Sequence, residues 1–189
     1  MSAPELLAAR TTRGLSQRAL AARARDHQPT ISALENGDHD PSVGHLGRLL
    51  AATGHRLVAL PTTARPVYEA GAAIGAALAR GDESTAFREA IQLSDDLARE
   101  SRQLLTALCA LAPVPADLRF DALLAAIVEH YLTGAGLPSP SWVDDPNRTL
   151  TEAWFVDDVP ALRERTVQDT PPAFARHGVF LAATELASV

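Results

Sequence analysis

Residues 15–37 read LSQRALAARARDHQPTISALENG, and the fold turns on this stretch. Ser16 is a good helix N-cap, and Leu15 before it can staple onto Leu20. Leu20, Ala21 and Ala24 form a narrow apolar stripe, and a break falls at Arg25-Asp26-His27. A second helix over about 28–35 turns Ile31 and Leu34 inward and stops at Asn36-Gly37. The expectation is a pair of short helices joined by a tight turn.

Upstream, Glu5 to Thr12 reads as a helix ended by Arg13-Gly14. Downstream, Pro41-Ser42 makes a turn, and Ser42 caps a helix over about 43–53 with Val43, Leu46, Leu49 and Leu50 inward and Gly54 as its stop. His55-Arg56-Leu57-Val58-Ala59-Leu60 alternates enough to be a short strand ending at Pro61.

This pattern resembles the Xre (Cro/repressor-like) family of helix-turn-helix DNA-binding domains. The family shows Leu-[Ser/Thr]-Gln, then Leu-Ala, a turn, Thr-Ile-Ser and Glu-x-Gly. The chain has Leu15-Ser16-Gln17, Leu20-Ala21, Thr30-Ile31-Ser32 and Glu35-Asn36-Gly37, in register and without gaps. The resemblance covers about residues 3–60 and implies a five-helix-type head whose third helix enters the major groove of double-stranded DNA. Gln17, Arg13, Arg18 and the N–H groups behind Ser16 would meet phosphates. Gln28, shaped for a bidentate bond to adenine, would read a base. Thr30 and Ser32 would reach phosphate or base edges, Arg25 and His27 flank the reading helix, and Ala33 offers an apolar contact to a thymine methyl. Arg10 and Glu35 are expected to pair as a structural ion pair between the first and third helices.

Three residues depart from the pattern. Arg25 stands at the turn where Gly is usual, so a left-handed backbone there costs roughly 1 kcal/mol or more. His27 replaces a small capping residue. Pro29, near the first turn of the reading helix, is allowed but brings no donor.

The charge is uneven. Residues 1–60 hold seven Arg against five acids, or +2, and residues 61–189 hold ten Arg against eighteen acids, or −8. Only the head is suited to a polyanion. All 17 cations of the 189 residues are Arg, and the net charge is −6. Apolar residues at 47% exclude a disordered tail, and one Cys, Cys109, excludes a disulfide framework and a Cys-based zinc site. No apolar run nears the roughly 20 residues of a membrane helix and no leader opens the chain, so a cytoplasmic protein without membrane contact is expected.

Pro61 to Pro66 (PTTARP) reads as a hinge, so the expected domains are 1–60, a hinge at 61–66 and a mostly helical partner-binding or regulatory domain at 67–189. Val67–Arg80 is an Ala-rich helix, and Asp82 to about Leu111 one long or broken helix. Asp117 caps an amphipathic helix ending at Gly134. A short helix follows at 159–168, another turn through Arg176, and a last strand at Val179-Phe180-Leu181. Thr170–Phe180 together with Pro140-Ser141-Trp142-Val143 resembles, loosely, actinobacterial Xre-type antitoxins, which implies that this half binds a toxin.

The chemical candidates here read mostly as structure. Asp144-Asp145 and Asp157-Asp158 are loop acids or caps, and Asp121, Glu129 and His130 a polar helix face. His39, His45 and His55 lack an HxxxH pair for zinc. Arg176-His177 suits a phosphate, a partner carboxylate or simply a helix C-terminus. Trp142, Trp154 and Phe155 suit core packing or a partner anchor. Neither a phosphate-binding Gly loop, a nucleophile elbow nor a dinucleotide fingerprint is present.

The fold class is therefore all-α: a helix-turn-helix head, a short strand and a helical C-terminal lobe. The expected function is transcriptional repression by a homodimer on a palindromic operator, with autoregulation as the antitoxin of a type II toxin–antitoxin pair as the leading case. A stand-alone regulator with a ligand-sensing C-terminal domain is the alternative, and an enzyme with a targeting head a third. No cofactor, metal or catalytic residue is expected.

Overall fold

The computed structural model describes residues 3–157, 159–182 and 186. The chain divides into two units, Met1–Thr62 and Thr63–Val189, with the division inside the PTTARP stretch.

Among its described residues the first unit holds four helices: α1 (Pro4–Thr12), α2 (Gln17–Ala24), α3 (Gln28–Asn36) and α4 (Val43–Ala52). Leu6, Leu20, Ile31, Leu34, Leu49 and Leu50 make the core. Ser16 caps α2 by accepting from the Ala19 N–H, and Ser42 caps α4 by accepting from the His45 N–H. All four helices close alike, with a left-handed residue and a bond from the next N–H back five residues. Gly14, Gly37 and Gly54 serve three of them, and Arg25, at φ 54°, serves α2. The Arg side chain at that turn is thus accommodated by the same left-handed geometry that a Gly would adopt, with its strain.

The expectations for residues 43–60 need correction. Residues 55–60 form no strand, and no fifth helix follows α4 among the described residues of this unit. A strand needs a neighbouring ladder, and these residues have none; Pro61 bars a helix. Leu57, Val58 and Leu60 stay exposed. Val43 also faces out, 75% exposed, because the first residue of α4 precedes the turn that meets the core.

The second unit is built around α8 (Leu118–Gly134), which is apolar nearly all round and buried from Phe120 to Val128. The hairpin α5 (Val67–Ala79) and α6 (Glu83–Arg99) packs on it. The long stretch after Asp82 breaks at Glu100-Ser101, giving α6 and a separate α7 (Arg102–Leu108). Gly71 of α5 is required by packing: a Cβ there would lie 2.4 Å from Pro113 Cβ. Beyond α8 come 3-10 turns at Ser141–Asp144 and Pro146–Arg148, then β1 (Trp154–Phe155), a 3-10 turn at Pro160–Leu162, α9 (Arg163–Asp169), α10 (Pro172–Arg176) and β2 (Val179–Phe180). β1 and β2 pair in parallel, Trp154 with Val179 and Phe155 with Phe180. Helices outweigh these short strands throughout the described residues, so the protein is mainly α-helical.

Several polar residues of this unit face inward rather than to solvent. Asp121 is buried, accepts from the Ala116 N–H, and has its carboxyl pushed up by burial. Arg176-His177 is engaged within the protein: Arg176 donates to Glu129 and Asp144, and the fully buried His177 sits between the Arg148 carbonyl (2.6 Å) and Glu129 (3.0 Å). Asp145 caps the turn at 146–148. Trp142 is core, its indole N–H donating to the Cys109 carbonyl. Burial also pushes the Cys109 thiol up to about 12, leaving it unreactive. Asp158, half of the second acid pair, lies outside the described residues.

Candidate nucleic-acid interface

The start of α2 positions Ser16, Gln17 and Arg18, and the turn between α2 and α3 positions Arg25, His27 and Gln28. Arg25 reverses the chain, α3 begins after His27 without a side-chain cap, and the Asp26 carboxylate accepts from the His27 N–H (2.8 Å). His45 of α4 donates to the other Asp26 oxygen (2.7 Å), and Arg48 lies 3.8 Å from it. These bonds, the His27 N–H foremost, lower the Asp26 pKa against the opposing effect of burial. A depressed pKa means stability that is present above the unfolded value of 3.8 and lost as pH falls through the folded one. Asp26→Ala should therefore cost the head about 1–2 kcal/mol at neutral pH, with the deficit closing below about pH 4. Urea titrations at the two pH values measure it; a deficit unchanged by acid would contradict the assignment.

A chain of polar side chains runs from α1 to the tip of α3. Arg10 Nε donates to Glu35 Oε1 (2.6 Å), and its Nη2 to Oε2 (2.9 Å), in a bidentate pair. Arg10 Nη1 donates to the Leu15 carbonyl. Gln17 Nε2 donates to Glu35 Oε2 (2.9 Å), and Gln28 Nε2 donates to Gln17 Oε1 (2.9 Å). Glu35 is buried, Gln17 half-buried and Gln28 exposed, so the chain leads from core to surface. Gln17, expected at a phosphate, has one amide N–H engaged by Glu35 and its amide oxygen by Gln28. The helix-turn-helix resemblance placed Arg10 beside Glu35, but nothing in it distinguished a Gln facing DNA from one facing its neighbour.

Around Gln28 the surface presents Ser16, Arg18, Arg25 and His27, all exposed, with Thr30, Ser32 and Ala33 half-buried along α3. Arg13 is drawn elsewhere: its Nε donates to the Thr53 carbonyl at the end of α4. The same side chain packs over Gly54, whose left-handed backbone, at φ 81°, is what calls for a glycine. His55 accompanies it, its Nδ1 2.8 Å from the Thr53 hydroxyl.

Residues 6–57 match the family model described as helix-turn-helix. The N-terminal third is a helix-turn-helix domain, of the Xre-like kind. It marks the chain as a DNA-binding transcription regulator. No curated protein and no solved structure matches the chain. Among the described residues no helix is long and apolar enough to cross a membrane.

Proposed function

We propose that this helix-turn-helix protein represses transcription by binding a palindromic operator as a homodimer, in the cytoplasm and without enzymatic activity. The observation that carries the reading is Gln28: it is exposed at the first turn of α3 and held there by Gln17, which Glu35 holds in turn. A pre-oriented amide loses less freedom on pairing with adenine, and its oxygen and second N–H stay free for the base. Ser16, Gln17, Arg18, Arg25, His27, Thr30, Ser32 and Ala33 complete the proposed DNA face. The exposed Leu57, Val58 and Leu60 favour a second copy as the neighbour that residues 55–60 lack.

The C-terminal unit fits a partner-binding role in which a cognate toxin is neutralised and the operon autoregulated. Its −8 charge and the exposed Val159, Leu162 and Val167 favour a protein partner over a nucleic acid.

The test is enrichment of an operator from random duplexes by the full chain, followed by Gln28→Ala. We expect a palindrome, and a loss of about 1–3 kcal/mol on it that random DNA does not share. Failure to enrich any sequence would overturn the reading, and equal losses on both DNAs would remove Gln28 as the base reader.

A further inference from the structure

The second unit carries an open groove of about 780 Å³, a volume suited to a small organic ligand. Its floor is aromatic: Phe120, Trp154, Phe155 and Phe87 line it, with Phe120 and Trp154 at 5.7 Å and tilted by 54°. Two carboxylates, Glu83 and Asp157, stand in the lining against one cation, Arg119.

Arg119 is the informative residue. Its guanidinium lies over the Trp154 ring, 5.3 Å from the centroid, while its Nη2 donates to Glu83 (2.9 Å). A flat cation on an indole face, closed by a carboxylate, is a recognition site already filled by a side chain of the protein. The filling is loose. Arg119 and Glu83 remain 43% and 56% exposed, where an ion pair contributes little, and Asp117 stands 3.7 Å from Arg119 Nε to receive it. An anion would meet the opposite conditions: an acid-rich lining, electron-rich ring faces, and cations already engaged, Arg119 by acids and Arg163 over the Phe155 ring, 5.0 Å from its centroid.

From this arrangement we infer that the groove binds a planar aromatic cation, which takes the place of Arg119 over Trp154 and against Glu83. The inference stands apart from the DNA-binding reading and needs no operator.

Calorimetric titration of the full chain without DNA tests it, with N-methylacridinium as the cation and 9-anthracenecarboxylate as an anion of like size. The cation should bind at least roughly fivefold more tightly than the anion. Glu83→Gln, which keeps the Asp82 cap of α6, should weaken the cation by about fivefold, and Arg119→Gln should tighten it about threefold by vacating the place. Equal or tighter anion binding, no cation binding at millimolar concentration, or an Arg119→Gln variant that binds the cation no better would each overturn the assignment. Because Glu83 and Arg119 are both well exposed, both variants should fold, and their melting curves verify that.

Discussion

Glu35→Gln should destabilise the helix-turn-helix unit by about 3–5 kcal/mol, the largest loss expected of any single polar substitution there. Glu35 keeps only 3% of its side chain exposed, and Arg10 only 12%. The carboxylate takes three donors, two from Arg10 and one from Gln17. An amide in its place can accept through one oxygen only, so Arg10 is left as a buried charge facing an N–H donor. The loss is set by that stranded cation rather than by the worth of the pair, so removing both charges should cost less. Arg10→Met with Glu35→Leu should recover more than half of the single-variant loss, and urea titrations of the parent, both single variants and the double variant measure the coupling. A Glu35→Gln curve that overlays the parent would refute the claim. The same substitution loosens Gln17 and with it Gln28, so operator affinity should fall in the surviving folded fraction as well.

What could be seen in the sequence was local. Ser16 and Ser42 announce their helices because an N-cap acts on an N–H three residues ahead, and Asn36-Gly37 announces an end for the same reason of proximity. Arg10 and Glu35 are 25 residues apart, yet the helix-turn-helix pattern fixes the register that joins them. Residues 55–60 misled because alternation signals a half-buried surface, while a strand also needs a partner that local sequence does not name. The break at Glu100-Ser101 has neither Gly nor Pro to mark it. The inward turn of Asp121, Glu129, Arg148 and His177 was illegible for a related reason. Three of them meet residues far along the chain, His177 and Glu129 each other across 48 positions and Arg148 the Pro113 carbonyl across 35, while Asp121 meets the Ala116 N–H five residues before it. The Arg119–Trp154 contact likewise joins a helix to a two-residue strand too short to show any period.

Arg148 is the counterpart of Glu35 in the second unit, and its loss should be felt as strongly. It is only 5% exposed, its Nη2 donates to the Pro113 carbonyl (2.7 Å), and its guanidinium lies 4.8 Å from the centroid of the Trp142 ring. Burial lowers its pKa, while the charges of Asp121 and Asp145 act to hold the proton. In return Arg148 moderates Asp121, whose carboxyl burial pushes up and whose charged form the Ala116 N–H and Arg148 favour. Arg148→Met keeps the volume of the stem but strands the Pro113 carbonyl and removes a cation whose charge favours the ionised form of buried Asp121, so it should cost about 3 kcal/mol at neutral pH. The pH dependence separates this cause from plain packing loss. Asp121 titrates above its ordinary 3.8 when folded, so between 3.8 and the folded value the native state holds more protons than the unfolded one, and stability from this group rises as pH falls. Without Arg148 the folded value climbs further, so the variant gains more from acid than the parent does. Its deficit should shrink steadily from neutral pH to about pH 4. Adding Asp121→Asn to Arg148→Met should abolish that shrinkage while leaving the Pro113 contribution in place. A deficit that stays constant with pH, or that widens in acid, would show that Arg148 acts by shape and hydrogen bonding alone and that Asp121 does not depend on it.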